Sequence, residues 1–196
     1  MDARKESEPM PTKNRATVER KSDRELVVTR TFNCSARILF EAWTKPELFE
    51  QWWVPKSMGM SLHSCELDVR VGGTYRLVFS NDASNPMAFF GRYLEVTPPS
   101  RLVWTNDEGG DGGAVTTVTF AEQGGKTLLV LHDLYPSKKA LDAALGAYDG
   151  MRETLDAQVR YVAREVTQRE VGRERLISLT PQHQRGQQKL LLEAHR

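Results

Sequence analysis

From Glu25 onward the spacing of apolar residues changes along the chain, from a period of two to one of three to four and back again. ELVVTRTFN, Glu25 to Asn33, is rich in β-branched residues and ends on a turn former, which predicts a first strand. Ser35 stands where an N-cap belongs, ahead of Ile38, Leu39, Ala42 and Trp43 at helical spacing. Pro46 closes that helix and suits the first turn of a second, shorter one carrying Leu48, Phe49, Trp52 and Trp53. After Pro55 the alternation predicts strands over 61–69, 73–80, 87–97, 101–106, 113–121 and 126–134. VGG, NDASNP, TPPS, NDEGGDGG and AEQGG separate them, all rich in residues that set turns.

The last periodic stretch begins near Ser137. Leu141, Leu145, Tyr148, Met151, Leu155, Val159 and Val162 recur every three or four residues, one apolar stripe along a long helix. Gly146 and Gly150 fall on its opposite side, each costing about 1 kcal/mol against alanine, so a kink is expected there. Residues 1–24 are polar and aperiodic and read as a disordered arm. Residues 25–164 form the domain, and 165–196 a tail, partly helical or disordered, whose terminal LLL favours association.

These elements predict an α+β fold. A seven-stranded curved antiparallel sheet wraps over a long C-terminal helix, with two short helices between strands 1 and 2. Two curved surfaces seldom close completely, and a gap lined by aromatic side chains is a small-molecule site by default.

Composition narrows the function classes. The chain has 196 residues, enough for one domain of about 140 residues with tails. Its net charge is +1, but the positive excess sits at the two ends and residues 25–163 are net negative. An acidic domain argues against nucleic acid as a partner, which needs a concentrated basic surface. No apolar run approaches the roughly 18 residues of a membrane span, and the N-terminal residues lack the apolar core of a secretory signal. The two cysteines, Cys34 and Cys65, are read as reduced thiols of a cytoplasmic protein.

Candidate site residues come from the aromatic and stripe positions. Trp43, Trp52 and Trp53 either staple the two short helices to the sheet or line the mouth of a cavity. Trp52 and Trp53 are adjacent and face different ways, so one of them serves structure alone. Tyr75, Leu77 and Phe79 alternate and share one face, opposite Arg76. On the next strand the inner set is either Phe90 with Arg92, or Phe89 with Tyr93 and Arg92 in water; the second is favoured. Arg152 borders the helical stripe, either snorkelling outward or hooking a ligand. The ligand-binding set is therefore Trp43, Trp53, Tyr75, Leu77, Phe79, Phe90, Trp104, Tyr148, Met151, Arg152 and Leu155.

Catalytic signals are weak. His132 and Asp133 are strand neighbours whose side chains diverge, and no G-x-S-x-G elbow supplies a nucleophile. No H-E-x-x-H or paired C-x-x-C suggests a metal, and Cys65 reads as a small core residue. Gly72 and Gly73 lack a phosphate-loop context and are turn glycines. No catalytic residue, metal or cofactor is assigned.

AWTKPELFEQWWVP (Ala42 to Pro55), DVRVGGTYRL (Asp68 to Leu77), GRYLEVTPPSRLVWT (Gly91 to Thr105) and GGKTLLVLH (Gly124 to His132), with the glycine-led helix from Gly150, carry a resemblance. Over about residues 25–163 the chain resembles the START-like (SRPBCC) superfamily with its helix-grip fold, and within it the heat-shock ATPase activator-like family. Met151 stands where the family often has tryptophan. The co-chaperones that give the family its name carry a further N-terminal domain, whereas only a 24-residue arm stands here. The resemblance therefore implies a stand-alone, bacterial-type member that binds a small hydrophobic molecule without catalysis. A protein-interaction or co-chaperone-like module of the stress response, and an enzyme acting in the same cavity, are the alternatives. No nucleic-acid or membrane partner is expected, and a homodimer is left open.

Overall fold

A strand whose alternate residues are apolar must bury one face, and the strands of this chain bury the same one. A computed structural model describes residues 16–54, 59, 61–80, 86–109, 113–145 and 154–168. Its strands are β1 (Thr17–Arg20), β2 (Glu25–Phe32), β3 (Ser61–Leu67), β4 (Thr74–Ser80), β5 (Met87–Thr97), β6 (Arg101–Thr105), β7 (Val115–Gln123) and β8 (Lys126–Leu134). They form one antiparallel sheet in the order β1-β2-β8-β7-β6-β5-β4-β3, left open at β1 and β3. The helices are α1 (Ala36–Thr44), α2 (Pro46–Phe49), α3 (Lys138–Ala144) and α4 (154–168).

The fold is the expected α+β arrangement with one strand more. Thr17–Arg20, assigned from sequence to the disordered arm, pair with Leu26–Thr29 as β1. Four residues of mixed polarity carry no readable period, and only the free edge of β2 gives them structure. At the other end, α4 runs past Arg164 to residue 168.

Ser35 is the N-cap of α1, but its side chain makes no capping bond. The carboxylate of Glu122, at the end of β7, instead accepts from the Ala36 amide at 2.8 Å. That places a negative charge at the positive end of the helix, where no acidic residue of its own first turn stands. At the far end Trp52 Nε1 donates to the Ala42 carbonyl oxygen at 3.1 Å, satisfying one of the open carbonyls of α1. α3 starts where the sequence predicts, and the Ser137 hydroxyl caps it by accepting from the Ala140 amide.

The predicted helical stripe holds in part. Leu141, Leu155 and Val162 are buried, but Leu145, at the end of α3, is exposed. The expected kink at Gly146 and Gly150 lies outside the described residues, as do Tyr148, Met151 and Arg152.

The β3–β4 turn needs its glycines for two different reasons. Gly72 has φ near +80°, and any Cβ on Gly73 would run into the Asp68 carbonyl oxygen.

Candidate functional site

The inner face of the sheet is built in rows, because directly paired residues of neighbouring strands point the same way. One row crosses five strands: Leu26, Asp133, Thr116, Trp104 and Tyr93. Another joins Arg30, Leu129 and Phe120. Over this face lie α1 and α4, and Leu39, Phe40, Trp43, Leu155 and Val162 share one apolar core with Leu129, Leu131 and Phe120.

Trp43 sits at the centre of an aromatic group. Its ring lies 5.0 Å from Trp52, 5.7 Å from Trp53, 6.1 Å from Trp104 and 6.2 Å from Phe120. Trp52 is buried and fixed by its bond to Ala42, so it is the structural member of the adjacent pair. Trp53 is half-buried and stacks on Phe49 at 4.6 Å. Its backbone carbonyl accepts from the Thr154 hydroxyl at 3.2 Å, tying α4 to the tryptophan segment.

Tyr75, Leu77 and Phe79 are buried on the inner face, as their alternation predicts. On β5 Tyr93 and Gly91 are buried, and Arg92 faces outward with its Nε 4.0 Å from Asp107. The favoured alternative for that strand therefore holds. Phe90 is corrected: it pairs with outward-facing Arg76 and is 42% exposed, so it does not belong with the inner set. Phe89 and Met87 have inner-face parity yet are 38% and 50% exposed, so the inner face meets solvent at that end of the sheet.

Polar groups also occupy the inner face, and sequence reasoning missed them. The Tyr75 hydroxyl donates toward Asn106 Oδ1 (2.9 Å), with the Thr105 carbonyl oxygen at 3.1 Å. Asn106 Nδ2 donates to Thr116 Oγ1 (2.8 Å), and Thr116 donates to the buried Asp133 carboxylate. Each donor hands on to the next acceptor, and such a chain polarises along its length. Burial pushes the Tyr75 phenol well above its ordinary value, with Glu108 adding to the shift, so it remains a donor.

Two further groups are less well satisfied. Arg30 shares the parity of Leu26, Val28 and Phe32 and is only 7% exposed. Its Nη1 lies 2.7 Å from Asp156 Oδ1 of α4, but out of line for a hydrogen bond, and its Nε has no partner among the described residues. Gln158 is fully buried, and neither its Oε1 nor its Nε2 has a hydrogen-bond partner among the described residues. Both were legible in principle. Arg30 follows the strand alternation, and Gln158 stands three residues after Leu155 and four before Val162.

Covalent and metal chemistry find little support in these groups. Cys65 faces inward opposite Leu77, and burial first, then Glu50 and Glu66, pushes its thiol up to about 12. Burial and Glu122 raise Cys34 equally, to about 12. A thiol so raised is a poor nucleophile at neutral pH. His132 pairs with Glu25 at 3.2 Å, away from Asp133. Among the described residues no three His, Cys, Asp or Glu come together as ion ligands, and no helix is long and apolar enough to cross a membrane.

Comparison with known proteins places this geometry. The chain is similar to a structure from Rhodobacter sphaeroides at 23% identity, over 76% of this chain and 98% of that one, with a TM-score of 0.69. A protein from Staphylococcus epidermidis matches at 25% identity over 76% of this chain and 94% of its own, with a TM-score of 0.64. An AHSA1-like protein from Aeromonas hydrophila matches at 21% identity over 71% and 93%, with a TM-score of 0.56. No curated protein matches the sequence. The family model described as activator of Hsp90 ATPase homolog 1-like protein matches residues 33–163. That span begins just after β2, runs through most of α4, and takes in the tryptophan cluster and the inner face of β3 to β8, and the chain belongs to this family.

Proposed function

We propose that the protein is a non-catalytic binding domain for a small, largely hydrophobic molecule taken up between the inner face of the sheet and α4. Gln158 carries this reading. A buried amide with no partner costs roughly 1–3 kcal/mol for each unsatisfied group. A natural domain keeps such a residue where a ligand supplies the missing bonds. The half-exposed Phe89 and Met87 at one end of the inner face support an entrance there. Trp43, Trp53, Tyr75, Leu77, Phe79, Trp104 and Leu155 supply the apolar lining, and Tyr148, Met151 and Arg152 are proposed to complete it. The two free cysteines suit a reducing compartment, the cytoplasm.

The test pairs stability with binding. A neutral solvatochromic dye such as Nile red is titrated into the wild type and into Gln158→Leu. The substitution removes the unsatisfied amide, so thermal unfolding should rise by several degrees while dye or ligand affinity falls. A wild type that takes up no apolar probe at all would end this reading.

A second reading rests on the outer face, where Phe90, Leu94, Leu128 and Leu134 leave apolar side chains in water. A protein-binding role of the heat-shock ATPase activator type would use such a surface. ATPase assays with the 90-kDa heat-shock protein, comparing wild type with Leu94→Glu, test it directly.

A further inference from the structure

Most of the inner face is apolar, so its one buried guanidinium among the described residues calls for a purpose. Arg30 stands in a row with Leu129 and Phe120, is 7% exposed, and touches a single carboxylate oxygen, that of Asp156. The contact is close at 2.7 Å but misaligned, and Nε is left without a partner. A guanidinium presents a planar fork that suits a carboxylate held by two parallel bonds, and Asp156 does not use that fork. Asp156 itself is 43% exposed, so it can leave for water at little cost. Gln158, two residues further along α4, points about 200° round the helix from Asp156, so its open amide belongs to a separate part of the buried face.

Resting on the binding role proposed above, we infer that the bound molecule is an amphiphile with a single carboxylate, received by Arg30 while Asp156 swings out into water. Charge decides the class. Arg30 is one cation with the single carboxylate of Asp156 beside it, so a dianionic phosphate in place of that carboxylate would be left with surplus charge. A carboxylate monoanion exchanges one counter-ion for another and gains the second bond of the fork.

The experiment titrates decanoate, decanol and decylamine into the full chain, following tryptophan emission and calorimetry. Decanoate should bind at least tenfold more tightly than decanol, with decylamine weakest. Arg30→Gln should weaken decanoate at least tenfold more than it weakens decanol, removing the acid preference. Asp156→Asn, a change at a half-exposed position that keeps the fold, should tighten decanoate severalfold by removing the competing carboxylate. Equal binding of acid and alcohol, or preference for the amine, would overturn the inference and leave the hydrophobic binding role standing. If none of the three binds, that role and this inference both fall.

Discussion

Residue-scale placement was open to reading wherever a side chain followed the period of its element. Tyr75, Leu77 and Phe79 are buried as their alternation requires, and Arg30 obeys the same rule on β2 although it is charged. The hydrogen-bonded chain from Tyr75 to Asp133 could not be read, because its members come from four separate segments brought together by pairing register. Its energetic weight is testable. Thr116→Val should destabilise the protein by about 2–3 kcal/mol in urea titration, since a buried carboxylate loses a charged hydrogen bond and Asn106 loses its acceptor. The cysteines set a pH limit. Both thiols are raised in the folded protein from the ordinary 9.0 to about 12, so unfolding releases protons more readily than the native state. Their contribution to stability is full below pH 9 and is lost as pH rises toward 12. Melting temperatures measured from pH 8 to 11 should fall over that interval, and substituting Cys34 and Cys65 with alanine should flatten the fall.

At the scale of elements, seven strands and both short helices followed from period and punctuation, whereas β1 did not. Thr17–Arg20 gain structure only from a neighbour, and no local signal marks that. The cap of α1 teaches the same lesson. Ser35 occupies the cap position that the sequence indicates, yet the bond to the helix comes from Glu122 on β7. Two substitutions separate position from interaction. Glu122→Ala should cost about 1 kcal/mol through the lost cap and helix-dipole contact, and Ser35→Ala should cost less than about 0.5 kcal/mol. Chemical denaturation of the two variants side by side measures the difference.

For the whole molecule, the short links predicted the antiparallel run from β3 to β8, and the family resemblance implied the helix-grip arrangement; the pairing of β2 with β8 joins segments far apart in sequence. The open sheet closes over one continuous core, and burying a residue such as Leu39 or Leu155 contributes about 2 kcal/mol to it. Function was less legible than fold. The aromatic residues named from sequence pack into the core and are also those proposed for the site, and the groups proposed to distinguish a ligand, Arg30 and Gln158, sit on apolar faces where charge and amide are unexpected.

The bond between Thr154 and the Trp53 carbonyl has a practical result. Trp43, Trp52, Trp53 and Trp104 make up every indole of the chain, and all are grouped beside the seam that Thr154 of α4 makes with the Trp53 carbonyl. Light emitted by the native protein therefore originates from a single spot. Any guest that parts the rod from the strands must disturb it, which gives the molecule an optical gauge of its own occupancy without a label.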